Sequence, residues 1–129
     1  MKKSVFQFTD PHIVNLEFRI NEDFEEEQFE GFGIESEVSN AIIEENREAF
    51  VRLCLFIGQR DASTPFSCNI EMVGKFKVEE DISPEFFQNL LDANAPALLM
   101  SYARPIVALI TAQAGFPSFN IPFVDFMGK

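Results

Sequence analysis

The ten residues AFVRLCLFIG, positions 49–58, decide the architecture. In an extended chain Val51, Leu53, Leu55 and Ile57 share one face, and Phe50, Arg52, Cys54 and Phe56 share the other. Both faces are largely apolar, which is the pattern of a central strand. Downstream, QRDASTP (59–65) supplies a hairpin connection to a further strand. That strand sets Phe66, Cys68, Ile70, Met72, Gly74 and Phe76 against Ser67, Asn69, Glu71, Lys75 and Lys77, a half-solvated pattern. Upstream, EENRE (44–48) is a turn, and residues 32–43 form a strand with Phe32, Ile34, Ser36 and Val38 on one face. Residues 4–20 are also extended: Phe6 and Phe8 alternate as far as Asp10-Pro11, and Leu16, Phe18 and Ile20 then alternate with Asn15, Glu17 and Arg19. Pro11 has no amide proton to donate, so its neighbourhood is a bulge or break at a sheet edge. Four antiparallel strands are the economical reading.

After residue 80 the period changes. Ser83-Pro84-Glu85 reads as a helix start, with a hydroxyl cap and a proline in the first turn, and this short helix ends near Asp92-Ala93-Asn94. A longer helix runs from about Pro96 to Ala114 and stops at Gly115, with Pro117 beyond. Its few polar positions include Ser101, Arg104 and Thr111, which fall on one narrow stripe; the remaining circumference is apolar. One side can cover the sheet, and the other needs a second helix that a partner subunit would supply. Leu99, Tyr102, Ile106, Leu109 and Ile110 are the interface residues on this reading. Arg104-Pro105 at the helix centre makes membrane insertion costly, and Pro105 predicts a kink where it deprives Ser101 of a hydrogen bond. The following stretch, FPSFNIPFVDFM (116–127), is an extended apolar arm with phenylalanines at 116, 119, 123 and 126.

A chain of 129 residues and 14.7 kDa suits one domain, taken as residues 1–129. It carries 21 acidic and 10 basic residues, a net charge of −11, which works against nucleic-acid binding and against a polybasic membrane anchor. No apolar run follows Lys2 and Lys3, so no secretory signal is expected. Cys54 and Cys68 form no CxxC pair and suit buried thiols in a reducing cytoplasm. His12 is the only histidine, no glycine-rich phosphate loop occurs, and the acidic run NEDFEEEQFE (21–30) lacks the hinge and ligand spacing of a calcium loop. These features point to binding rather than catalysis, without metal or cofactor. The aromatic inventory is 16 Phe, one Tyr and no Trp, more apolar rings than one small core needs, so some should face a groove or a subunit interface.

The stretch ALLMSYARPIVALITAQAGFPSFNIPFVDF (97–126) resembles the SecB protein-export chaperone family. The similarity lies in Leu98-Leu99, Tyr102-Ala103-Arg104, the apolar helix Ile106 to Ile110, Gly115, Phe116-Pro117, Asn120 and Phe126. The layout upstream of it, with four strands, an acidic crossing segment and a short helix, is similar too. The resemblance implies an α+β fold, a four-stranded antiparallel sheet packed against a short and a long C-terminal helix, assembling as a dimer or a dimer of dimers. It also implies an ATP-independent holdase for unfolded polypeptide clients. Phe24, Phe29, Phe32, Phe116, Phe119 and Phe123 are the groove candidates on that basis, with ordinary core or interface packing as the competing use of each ring. SecB-like chains dock the motor SecA through acidic residues on the sheet and a C-terminal tail. This chain has Asn15, Arg19 and Asn69 at the aligned positions and ends at Gly128-Lys129, which counts against SecA. SecB-like proteins that serve an antitoxin do not need that tail, which leaves a binding module dedicated to one partner as the alternative.

Overall fold

The computed structural model describes residues 6–126 apart from residues 60 and 62. Its strands are β1 (Phe6–Ile20), β2 (Ile34–Glu44), β3 (Glu48–Gly58) and β4 (Phe66–Val78). All pairings are antiparallel, in the order β1-β4-β3-β2. The 21–33 segment therefore crosses from one sheet edge to the other, with a single 3-10 turn at Glu26–Gln28 on the way. Pro11 produces a bulge rather than a break. Register shifts between Thr9 and His12, Asp10 takes a positive φ of 54°, and β1 continues for 15 residues.

The core lies on one face of the sheet. Val51, Leu53, Leu55 and Ile57 of β3 and Cys68, Ile70, Met72 and Phe76 of β4 are almost completely buried there. Against them pack Phe87, Leu91, Leu99, Met100, Ala103 and Val107 from the helical half. Gly74 lets the helix approach closely, since a Cβ at that position would lie 3.1 Å from Leu99 Cδ2. The other face of the sheet is uncovered: Phe50 is 44% exposed, so β3 is central in the sheet but not buried on both sides.

Ser83 caps α1 (Pro84–Asn89) by accepting the Phe86 amide proton at 3.1 Å. The helical half is not divided into two separate helices. A π-helical turn, Leu90–Asn94, carries the backbone straight into α2 (Ala95–Gln113). The Ala95 amide reaches back to the Leu90 carbonyl, and the wider turn accommodates Pro96, which has no proton to give, without ending the helix. α2 likewise runs through Pro105 without a break; Ser101 and Pro105 are both exposed, so water can serve the carbonyl left unpaired. The 30-residue stretch Pro84–Gln113 is long and apolar enough to cross a membrane by length and composition. In the fold, its inner side belongs to the core.

The expected polar stripe is also revised. Ser101 faces outward, but Thr111 is fully buried. Leu99, read from sequence as an interface residue, is 0% exposed and is spent on β4, so it has no surface to offer a partner. Leu99→Ala should therefore lower folding stability by about 2–5 kcal/mol, as for other buried leucines. Urea denaturation should report this as a lower midpoint with an unchanged slope; a loss below about 1 kcal/mol would contradict the packing described.

Candidate functional site

The crossing segment is pinned where it leaves β1. Asn21, itself buried, donates from Nδ2 to the Gln59 carbonyl (2.7 Å) and the Thr64 carbonyl (2.6 Å), and its amide donates to Pro65 (2.9 Å). The Thr64 hydroxyl accepts from the Gln59 amide at 2.9 Å and lies 2.9 Å from both the Gln59 and Phe66 carbonyls. Gly58, at φ 75°, completes this knot, because any Cβ there would run into the Phe66 carbonyl oxygen. The knot ties the β3–β4 hairpin to the start of the crossing segment, and from there the chain presents Phe24, Phe29 and Phe32 in turn.

These rings join into one chain. Phe24 meets Phe29 edge-on at 5.9 Å, Phe29 meets Phe32 at 5.4 Å, and Phe32 meets Phe66 at 4.6 Å and Phe119 at 5.0 Å. Phe66 also contacts Phe116 at 5.0 Å and Phe18 at 5.3 Å. Phe66 is the buried floor, while Phe29, between Phe24 and Phe32, is 40% exposed. Centroid spacings in this range are those of favourable offset and edge-to-face pairs. Exposed acids at positions 22, 23, 25, 26, 27 and 30 flank Phe24 and Phe29 in the chain, which gives this segment a strong negative charge.

The arm after α2 supplies the second wall. Gly115 (φ 94°) reverses the chain, and the Phe116 amide donates to the Thr111 carbonyl at 3.1 Å. The arm then runs back along the helix. Ser118 Oγ donates to the Ala108 carbonyl (3.2 Å) and Arg104 Nη2 to the Pro122 carbonyl (3.1 Å), while Ile121 is buried in the core.

Five of the six phenylalanines singled out in the sequence thus come together: Phe24, Phe29, Phe32, Phe116 and Phe119. Phe123 stands apart. It is 81% exposed and lies beside Ala93, Asn94, Ala97 and Phe126, and among the described residues no ring contact links it to the others. Phe18 and Phe66 were missed as members. They occupy ordinary alternating strand positions, and only the β1–β4 register, with Phe18 opposite Cys68 and Ile20 opposite Phe66, brings them together. On the outer side of α2, Tyr102 (44%) and Leu109 (62%) are exposed, with Ile106 and Ile110 half-buried between them.

The uncovered face of the sheet carries charges of both signs. Arg52 pairs with Glu71, and Lys75 with Glu48 at 3.3 Å. Arg19 and Asn69 line a shallow cleft with Leu16, Glu17, Phe18 and Ser67. Cys54 lies on this face and donates to Glu71 Oε1 at 3.2 Å, whereas Cys68 points into the core. Burial pushes both thiols up to about 11, and for Cys54 the hydrogen bond to Glu71 adds to the effect. Among the described residues no group of His, Cys, Asp and Glu is placed to hold a metal ion.

A four-stranded antiparallel sheet with one face covered by a long C-terminal helix, and an aromatic cluster where crossing segment and arm converge, defines a single-sheet α+β protein of the SecB fold. The profile described as "Preprotein translocase subunit SecB" matches residues 34–128, and the chain belongs to that family. The Protein-export protein SecB of Anaplasma phagocytophilum (strain HZ) is 36% identical over 63 residues, covering 47% of this chain and 40% of the relative. Its counterpart in Rhodospirillum centenum is 30% identical over 95 residues, covering 74% and 51%. The chain thus spans between two-fifths and about half the length of these curated relatives. Solved structures share the fold. The Mycobacterium tuberculosis Rv1957 SecB-like chaperone, in complex with a ChAD peptide from the HigA1 antitoxin, superposes with a TM-score of 0.67 at 15% identity, over 92% of this chain and 90% of that one. A Streptococcus agalactiae protein of unknown function gives a TM-score of 0.58 at 16% identity, over 92% and 97%.

The thiols make a testable statement about pH. A folded-state value raised from 9.0 to about 11 means that the folded protein holds the proton more tightly than the unfolded chain. The contribution of Cys68 is therefore complete below pH 9 and is lost as pH rises to 11. The urea midpoint should fall across that window more steeply in the wild type than in Cys68→Ala. Parallel pH profiles for the two proteins would refute the assignment.

Proposed function

We propose that the chain acts as an ATP-independent holdase of the SecB type, binding unfolded polypeptide segments on its aromatic surface. The observation that carries this reading is the unbroken ring sequence from Phe24 to Phe119, floored by Phe66 and open at Phe29. Rings without hydrogen-bonding groups give apolar contact that makes few demands on client sequence. A holdase needs no catalytic step, since binding alone lowers the concentration of free unfolded chain. The reading accordingly requires neither metal nor cofactor, and it sets the protein in the cytoplasm, outside the membrane and away from nucleic acid. The unpaired thiols on opposite sides of the sheet and the net charge of −11 support that setting.

Phe24, Phe29, Phe32, Phe116 and Phe119 form the groove on this reading, and Phe123 is a peripheral contact. The same proposal includes homo-oligomerisation through Tyr102, Ile106, Leu109 and Ile110, whose outward surface, largest at Leu109, would face water in a lone protomer. The fold match to a chaperone solved with an antitoxin-derived peptide favours a second reading, a module dedicated to one partner. Asn15, Arg19 and Asn69, set among paired charges of both signs, support a role without SecA.

Dilution of a chemically denatured, unrelated protein without ATP separates the two readings. Suppressed light scattering at near-stoichiometric amounts is the holdase outcome; no suppression from a folded protein transfers the assignment to a dedicated module. Phe24→Ala/Phe29→Ala should reduce suppression with little change in the urea midpoint. If stability alone falls, those rings are core.

Assembly has its own test. Leu109→Asp should reduce the mass found by size-exclusion light scattering while circular dichroism stays unchanged. An unaltered oligomer would remove this helix face from the interface.

A further inference from the structure

Thr111 is an anomaly in its surroundings. It is fully buried near the end of a helix whose other buried positions are Ala95, Pro96, Leu99, Met100, Ala103 and Val107. A β-branched residue gains nothing there as a helix former, and a buried hydroxyl is costly without partners. Its proton goes back to the helix, towards the carbonyls of Val107 (2.9 Å) and Ala108 (3.1 Å). That is ordinary for a helical threonine. The remaining lone pair does something else: it accepts the amide proton of Phe119 at 2.9 Å, eight residues further along the chain.

Apolar packing also holds the arm, with Ile121 buried in the core and Phe116, Phe119, Val124 and Phe126 packed against it, but such contacts have no directional preference. From residue 114 onward the arm has no helix or strand among the described residues, and Pro117 and Pro122 have no amide protons. Two further side-chain ties, from Ser118 to Ala108 and from Arg104 to Pro122, are exposed and hold positions on either side of the ring-bearing residue. The Thr111 bond alone among these acts on the residue whose ring stands 5.0 Å from Phe32 and 6.2 Å from Phe66. If it is lost, the Phe119 amide has no partner in a half-buried setting, and the arm is drawn towards water.

We infer that Thr111 is a positioning residue for client binding, holding Phe119 and with it the arm-side wall of the aromatic groove. This rests on the holdase reading. Thr111 touches no client; it acts only through the amide it accepts from.

The test uses the whole chain and a permanently unfolded probe, reduced and carboxymethylated α-lactalbumin. Thr111→Val keeps the shape and removes the acceptor; Thr111→Ser keeps the acceptor and removes the methyl group. Thr111→Val should weaken probe binding by about threefold to tenfold, the net worth of one such bond. It should also speed amide exchange at Phe119 while leaving exchange in β3 and β4 unchanged. Thr111→Ser should restore both. Wild-type affinity in Thr111→Val alongside faster Phe119 exchange overturns the positioning role. So does a Thr111→Ser variant that is folded but as weak as Thr111→Val, because packing of the methyl group would then be the cause. If Thr111→Val does not fold, Thr111→Ser and the wild-type exchange decide: an unprotected Phe119 amide in the wild type also overturns it. A wild type that does not bind the probe overturns the holdase reading itself, and the role with it.

Discussion

The seating of α2 on β4 at Gly74 is the constraint on which the rest of the architecture depends. With no side chain at that position, Leu99 descends onto the sheet beside Phe76, and Met100, Ala103 and Val107 follow it into the core. The helix axis is thereby set at a short distance from the sheet. The arm then turns at Gly115 and runs back along a helix whose position is already determined. Phe116 and Phe119 can meet Phe66 and Phe32 only because both sides of the cluster are referred to the same strand: Phe66 opens β4, and Gly74 lies further along it. A displaced helix would separate the two walls of the aromatic surface.

Two small polar devices set the flexible parts on this rigid frame. Asn21, with Thr64 and Gly58, ties the crossing segment to the β3–β4 hairpin, and Thr111 ties the arm to α2. Asn21, Thr64 and Thr111 are buried, and each device spends at least one hydrogen bond on the backbone of a segment that has no ladder of its own. The economy suits an interaction surface of this kind. The apolar rings, which have no directional preference, are placed by polar groups that do, and the rings remain free of polar atoms.

Much of this was legible in the residues. The alternation at 49–58 and 66–76 survives folding because period-2 patterning records which face meets the core. The bulge at Pro11 and the cap at Ser83 were legible because each rests on the chemistry of one residue and its immediate neighbours. The resemblance in residues 97–126 identified the fold class, and the aromatic surplus marked five of the cluster's rings. What escaped was whatever depends on packing between distant segments. Pro96 read as the start of a new helix, since a local reading has no way to foresee that a π turn would carry the backbone past it. Leu99 and Leu109 are both leucines on one apolar helix, yet one is sealed in the core and the other is 62% exposed. Phe123 has the same spacing and chemistry as its arm neighbours but stands exposed between Ile121 and Val124, which pack on the core.

The amino-acid sequence by itself determined the strands, their alternation, the helical half, the surplus of phenylalanine and the negative charge, since these follow from local periodicity and composition. Tertiary structure alone decided which rings touch, which side of α2 is spent on the sheet, and that Thr111 faces inward to hold Phe119. The physical reason is that a ring contact or a buried hydrogen bond joins residues far apart in the chain. Phe66 and Phe119 are 6.2 Å apart in space, and only the fold brings them together.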